Sequence, residues 1–327
     1  MGGDFAPIAP VGGALLALAE LGAEHRIQLI GREAEVSDAL DSALAGEFGA
    51  HVGQRARIDL VDAPDVVAMA DKPTAVIRRP NSSMAVGLRR HADGHADAFV
   101  SAGNTGAQMA ASVQILGLHG ALKRPAIGTI FPTALQTVLV LDSGANVDCS
   151  AEELVYFARL GLVYAEDILG RSNPAVGLLS IGEEPAKGNA AVKEANKLLT
   201  QSGLHFIGNV EGRDVAAGTC DRGPFDVVVC DGFTGNVLLK FYEGLAPTLI
   251  RMIAATTHAD PHELMKGLSH LDASNYGGAP LLGVKGVSII AHGSSSPRAI
   301  KNAVNVAVRA AESRMSEHIG RRLGATG

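Results

Sequence analysis

Apolar runs rich in β-branched residues recur at 27–30, 58–61, 98–101, 126–131, 138–142, 176–181, 206–210, 227–231 and 287–291. Between them apolar positions fall at helical spacing, so strand-like and helix-like segments alternate. That rhythm predicts βαβ units around a largely parallel sheet, an α/β fold. Many of the runs lack polar alternation, as strands covered on both faces by helices do, and they end in Gly, Asn, Asp or Ser. Ligands of such sheets gather beyond the carboxyl ends of the strands.

Helix starts are also legible. Ser150-Ala151-Glu152-Glu153 has the spacing of a capping box, with Ser150 at the N-cap and Glu153 three residues on. Residues 238–272 depart from the strand–helix rhythm. Leu238, Tyr242, Leu245, Leu249, Met252, Ile253 and Thr256 lie near helical spacing, and after Asp260-Pro261 come Leu264, Met265, Leu268 and Leu271. This reads as a helical hairpin protruding from a single domain of residues 1–327, with Pro247 bending the first arm or starting its second part. Two uses are open for it: packing in the core or a dimer, or a tip that docks on a bilayer surface.

Composition narrows the classes. A chain of 327 residues, 47% hydrophobic and 19% charged, can bury one large core or two lobes and carries no signal of disorder. No apolar run reaches the roughly 18 to 20 residues of a membrane span, and the first residues lack the pattern of a signal peptide, so the expected address is the cytoplasm. Cys149, Cys220 and Cys230 have no metal spacing and are read as reduced core residues. A net charge of −6 argues against nucleic acid as a partner, and an acidic partner would need a local basic patch.

The loop motifs point to a small anion. Val100-Ser101-Ala102-Gly103-Asn104-Thr105-Gly106 breaks from an apolar run into small, amide-rich residues whose backbone N–H groups can approach an anion. Similar loops occur at 181–184, 209–214, 231–236 and 291–295, and five of them predict one shared site. The chain has no G-x-x-x-x-G-K-[ST] loop, no G-x-S-x-G elbow and no G-x-G-x-x-G fingerprint after a strand. His262-Glu263-Leu264-Met265-Lys266 lacks the second His of a zinc helix. Neither a metal nor a cofactor is therefore expected, and the loops are left to work by binding, orientation and hydrogen bonding.

Several segments resemble one family in particular. They are Met1-Gly2-Gly3-Asp4-Phe5-Ala6-Pro7, Ser82-Ser83-Met84, Ser101 to Gly106, Asp142-Ser143-Gly144-Ala145-Asn146-Val147-Asp148-Cys149, Ile181-Gly182-Glu183-Glu184 with Lys187-Gly188-Asn189, Ile207 to Asp214, Cys230 to Asn236, and Tyr276 to Ser295. Together they are similar, over nearly the whole chain, to the phosphate acyltransferase family of bacterial phospholipid synthesis. The resemblance implies a three-layer α/β/α fold like those of phosphotransacetylases and isocitrate- or isopropylmalate-type dehydrogenases. It implies transfer of a fatty acyl group from acyl carrier protein to inorganic phosphate, a homodimer, and a cytoplasmic enzyme in peripheral contact with the membrane. The family usually carries a short strand and an Asp-Ala pair ahead of the segment matching Met1 to Asp4, so one sheet strand is expected to be absent. Pro80 stands where the family often has a basic residue.

Under that reading phosphate needs positioning more than activation. Lys187, with the amides and hydroxyls of Ser101, Asn104 and Thr105, holds it, and Gly103, Gly106, Asn189 and Arg213 complete the binding set. Asn236, Thr234 and the backbone N–H groups of Gly232 and Gly235 stabilise charge on the thioester oxygen, and His292 protonates the departing thiolate. Asp231 either takes part in the chemistry, caps the following helix, or orients Lys240. Arg213 either pairs with Asp214 or faces phosphate, while Glu183 and Glu184 are structural or orient the lysine. Arg78, Arg79, Arg89 and Arg90 form one candidate patch for acidic acyl carrier protein, and Lys266, Arg298 and Lys301 another. Competing readings are a metal-dependent nicotinamide dehydrogenase, a phosphotransacetylase using acyl-coenzyme A, and an inactive chain that only binds acyl carrier protein or membrane.

Overall fold

Nine apolar runs become strands, most of them trimmed at one or both ends, in a computed structural model that describes residues 1–120, 122–257, 260 and 276–324. The chain divides into two units, Met1–His119 with Gly277–Ser316, and Gly120–Tyr276 with Glu317–Gly327.

In the second unit Thr137–Leu141, Val227–Val229, Val176–Leu179 and Phe206–Val210 lie side by side in that order, all parallel, and Ala126–Pro132 pairs antiparallel with Thr137–Leu141. Val138 to Leu141 and Val227 to Val229 are fully buried, as their unbroken apolar runs require. Because four strands run the same way, the loops that begin at Asp142, Ser180, Glu211 and Cys230 all leave one edge of the sheet. Helix Ala151–Asp167 starts with the expected capping box, Glu153 N–H on Ser150 Oγ at 3.3 Å and Ser150 N–H on Glu153 Oε2 at 2.9 Å. Sequence spacing did not reveal the third member. Arg124 donates to both Glu153 oxygens, at 2.8 and 2.6 Å, and to the carbonyl of Asp148.

In the first unit Ile27–Gly31 pairs with Ile58–Asp62, and Phe99–Ser101 with Ser288–Ile290, both parallel. Ala279–Leu282 lies antiparallel to Ser288–Ile290, a strand masked in the sequence by Gly277-Gly278 ahead of it and Pro280 within it. Val11, Leu15, Leu18, Leu29, Val36 and Leu40 form a core between helices Ile8–Glu20 and Glu33–Ala45 and the Ile27–Gly31 strand. A cavity of about 610 Å³ is lined by Ile27 to Ile30 and by Ala98 to Ser101. Among the described residues no strand lies between those two. The Met1 amino group is buried, which lowers its pKa.

The first arm of the expected hairpin begins earlier than its spacing indicates. Helix Gly232–Thr257 is one 26-residue element, with position 247 inside it. Leu238, Leu239 and Tyr242 pack on the core of the second unit, and Tyr242 meets Phe131 edge-on at 5.5 Å. The second arm, with Leu264, Met265, Leu268 and Leu271, lies outside the described residues. Among those described, no helix is long and apolar enough to cross a membrane.

Candidate functional site

In the first unit three of the motif segments meet. Ala291 N–H donates to Ser101 C=O at 2.8 Å, because Ser288–Ile290 and Phe99–Ser101 are parallel neighbours and their following loops emerge together. Asp4 N–H donates to Gly293 C=O at 2.9 Å, and a Cβ on Gly3 would lie 2.6 Å from the Ala102 carbonyl oxygen, so only glycine lets the first segment approach. Ser101 Oγ accepts from Gly103 N–H at 3.1 Å and keeps its own proton to donate.

Asn104 turns out to be fully occupied. Its Oδ1 caps helix Thr105–Ile115 by accepting from Ala107 N–H at 3.0 Å, while Nδ2 donates to the carbonyls of Met69 and Asp71, both at 2.9 Å. Thr105 and Gly106, the first two helical residues, retain N–H groups without a partner among the described residues, and the Thr105 hydroxyl is exposed. With Ser101 they leave a row of donors at the positive end of an 11-residue helix. His292 is exposed. Its Nδ1 accepts from Ser294 N–H at 3.3 Å and lies 2.7 Å from Ser294 Oγ, so a neutral ring carries its proton on Nε2.

The corresponding turn of the second unit is differently engaged. Asp231 caps helix Gly232–Thr257, accepting Thr234 N–H at 2.8 Å on Oδ1 and the Thr234 hydroxyl at 2.9 Å on Oδ2. Gly232 N–H donates to Asn146 C=O at 2.7 Å, and Gly235 N–H to Asp231 C=O at 3.0 Å. Asp231 is thus engaged with Thr234, and the expected thioester donors Gly232, Thr234 and Gly235 have their N–H groups engaged inside the unit. The Asn236 amide is exposed and lies over Gly144, and Phe233 N–H has no partner among the described residues.

Behind this turn sits Asp142, buried completely. Its carboxylate accepts from Ile127 N–H at 2.9 Å, Gly144 N–H at 3.3 Å, Ala145 N–H at 3.1 Å, Asn146 N–H at 2.7 Å and Asn146 Nδ2 at 2.9 Å. Burial pushes its pKa up, against the pull of these donors. Burial first, then the charges of Asp142 and Glu153, pushes the Cys149 thiol up to about 12, and Cys230 is likewise raised well above the ordinary thiol range by burial. Neither thiol has the depressed pKa of an activated nucleophile.

Lys187 stands half-exposed, 3.9 Å from Glu184. Its loop is held by Asn209, whose Nδ2 donates to Glu184 C=O and whose Oδ1 accepts from Asn196, both at 2.9 Å. Asn189 caps helix Ala190–Gln201 through Val192 N–H at 2.9 Å. Arg213 is mostly exposed and pairs loosely with Glu211 and Asp214, at 3.4 and 3.8 Å, while Glu183 faces Arg222. In the basic patches Arg79 pairs with Asp71, Arg89 donates to Pro80 C=O, Arg90 to Gln28 Oε1 and Lys301 to Glu20. Lys266 lies outside the described residues. Among those described, no group of three or more His, Cys, Asp or Glu side chains is placed to hold a metal ion.

Comparison with known proteins adds what the geometry lacks. Residues 1–318 match the model of a family described as "Fatty acid synthesis protein". The chain is 46% identical over 320 residues to a phosphate acyltransferase of Heliobacterium modesticaldum, covering 94% of this chain and 91% of that one. Against a phosphate acyltransferase of Desulforamulus reducens it is 44% identical over 322 residues, covering 95% and 92%. Among solved structures, a phosphotransacetylase from Streptococcus pyogenes aligns with a TM-score of 0.63 at 16% identity, covering 94% of this chain and 92% of that one. A branched-chain phosphotransacylase from Enterococcus faecalis gives 0.58 at 15%, covering 95% and 96%. Those two likenesses speak to the fold, which is the α/β class expected.

Proposed function

Because the chain belongs to the phosphate acyltransferase family and is an acyltransferase, we propose that it moves a fatty acyl group from acyl-acyl carrier protein to inorganic phosphate. The product is an acyl phosphate for phosphatidic acid synthesis. The observation that carries this reading is the set of unengaged donors at Ser101, Thr105 and Gly106. They suit a small tetrahedral anion. The family match runs across both units, which supports reading 1–327 as one phosphate acyltransferase domain.

A phosphate oxygen attacks the thioester carbonyl, the new C–O bond forms as the C–S bond breaks, and the thiolate leaves. Positioning is the main contribution of the protein, since phosphate is already a nucleophile. Negative charge on the carbonyl oxygen falls to Asn236 and the Phe233 N–H, the donors left open after Gly232, Thr234 and Gly235 are engaged. His292 donates its Nε2 proton to the departing sulfur. Acyl carrier protein, being acidic, docks on a basic surface that includes Arg78 or Arg298. Their neighbours Arg79, Arg89, Arg90 and Lys301 are drawn into local bonds and offer less.

Helix Gly232–Thr257 carries an exposed apolar row, Phe233, Val237, Phe241, Leu245, Leu249 and Met252, of which Phe241 is 66% exposed. At three- and four-residue spacing these form a stripe that winds along the helix, exposed while Leu238, Leu239 and Tyr242 pack on the core. This supports membrane contact through the first arm of 238–272 in the proposed cytoplasmic homodimer, and Phe241→Glu is expected to reduce sedimentation with anionic lipid vesicles.

The test is incubation with palmitoyl-acyl carrier protein, with and without phosphate, trapping acyl phosphate with hydroxylamine. Phosphate-dependent hydroxamate is expected. Product only from palmitoyl-coenzyme A would turn the reading to a phosphotransacetylase, and binding of acyl carrier protein without turnover to an inactive binding module.

A further inference from the structure

We propose that Asp142 is the positioning residue of the Gly232–Asn236 turn, a role that rests on the reading of Asn236 given above. The side chain lies at the end of strand Thr137–Leu141, touches none of the open donors, and yet is tied to that turn from three directions. Its carboxylate gathers the N–H groups of Gly144, Ala145 and Asn146, which folds the 143–146 loop around it. The loop so folded presents Asn146 C=O, which takes the Gly232 N–H at 2.7 Å. Asn146 Nδ2 bridges the carboxylate to Pro125 C=O at 2.8 Å, anchoring the loop to the residue just ahead of strand Ala126–Pro132. The backbone of Asp142 completes the clamp, with its N–H on Cys230 C=O at 3.0 Å and its carbonyl accepting from Cys230 Sγ at 3.5 Å.

Two glycines record how close the approach is. A Cβ on Gly232 would lie 2.6 Å from Asp142 Oδ2, and one on Gly235 would lie 1.9 Å from the Asp142 carbonyl oxygen. Each of the five partners of the carboxylate is a donor, so a protonated carboxyl would set an O–H against an N–H. The constellation calls for the charged form, and a negative charge there also sits favourably at the amino end of a 26-residue helix. Among the described residues no lysine or arginine lies within ion-pair distance of it, so amides replace its hydration and Arg124 acts on its charge only from farther away. Such an arrangement fixes the direction in which Asn236 and the Phe233 N–H point, and Asp142 acts on the reaction through them.

The experiment is a double-mutant cycle on kcat in the full-length enzyme, with Asp142→Asn, Asn236→Ala and the pair. Asp142→Asn replaces one acceptor by an NH2 that opposes the loop amides. It is expected to lower kcat by about 10- to 100-fold and to leave KM for phosphate within about threefold. If Asp142 works through Asn236, the double variant falls no further than the lower single variant, because the donor it positions is already gone. Multiplying losses would overturn the proposal and leave Asp142 a residue of general stability. Asn236→Ala at the wild-type rate would instead end the reading of Asn236, and this role of Asp142 with it. If Asp142→Asn does not accumulate folded, Asn146→Ala takes its place in the cycle. It keeps the carboxylate with its backbone donors and removes only the side-chain bridge. A smaller fall in kcat that is likewise absent in the Asn236→Ala background is then expected, and a fall that persists there would contradict the proposal.

Discussion

The turns at 101–106 and 231–236 are made of the same residue types, Gly, Asn, Thr and a carboxylate or amide cap, and both open a helix at the carboxyl end of a parallel strand. They differ in where the donors go. At 101–106 the Ser101 hydroxyl, the Thr105 hydroxyl and the first two helical N–H groups stay open. At 231–236 the Gly232, Thr234 and Gly235 N–H groups and the Thr234 hydroxyl serve the scaffold. For the two threonines, position relative to the cap decides the outcome, while the Gly232 N–H is taken by the Asn146 carbonyl. Thr105 is the first residue after its cap and cannot reach back to it, whereas Thr234 is the third after Asp231, the place from which a side chain bonds to the cap.

The largest effect that would sharpen this contrast is expected at Asn236, the side-chain donor left open in the second turn. Asn236→Ala should lower kcat by about 10²- to 10³-fold with the thermal midpoint unchanged, measured by hydroxamate formation and calorimetry on the same sample. A midpoint that falls with an unaltered kcat would move Asn236 into the scaffold. Next come the glycines. Gly235→Ala drives a Cβ against the Asp142 carbonyl at 1.9 Å and should cost about 1–3 kcal/mol or more in denaturant unfolding. The nearest atoms to a Cβ on Gly103 are the flexible Met84 Cε and the Ser101 Oγ, both at 3.3 Å, so Gly103→Ala should stay within about 1 kcal/mol of the parent. Equal losses would mean that the two turns are packed alike.

The smallest effect concerns pH. Arg124 holds the Glu153 carboxyl below its ordinary value of 4.5, so this pair stabilises the fold above that pH and the contribution disappears as pH falls through the lowered folded pKa. Burial has the opposite effect on Asp142, whose folded pKa lies above 3.8. Ionising it, as its five donors require, therefore costs the fold stability as pH rises through the folded value. Glu153→Gln should therefore cost about 1 kcal/mol at neutral pH and nothing in strong acid, read from unfolding midpoints across a pH series. A constant difference at every pH would show that the cap, not the charge, is what Glu153 supplies.

Much of the architecture was legible because it follows from local pattern. The unbroken apolar runs at 138–141 and 227–229 could only be strands buried on both faces, and Ser150 with Glu153 announced its helix. What remained hidden depends on contacts between distant residues. Asp142 reads in the sequence as a loop aspartate, and its environment comes from Ile127 and from a turn almost ninety residues away. Arg124 and Glu153 are 29 positions apart. Asn209 looked like part of an anion loop, but its amide supports the Lys187 loop from beneath, which requires a strand and a helix to be folded first. The 238–272 segment is open in sequence to core, dimer or bilayer packing, and only the fold shows that Leu238, Leu239 and Tyr242 meet the core while Phe233, Val237 and Phe241 stay exposed.

The contrast between the two turns is tested most directly by one pair of variants, Thr105→Val and Thr234→Val, each carried through KM for phosphate and the thermal midpoint. Thr105→Val should raise KM for phosphate by about tenfold or more at an unchanged midpoint, since it removes an open donor to an anion. Thr234→Val should lower stability by about 1 kcal/mol at an unchanged KM, since its hydroxyl is bonded to Asp231. A raised KM in Thr234→Val together with a lowered midpoint in Thr105→Val would reverse the assignment and contradict the account.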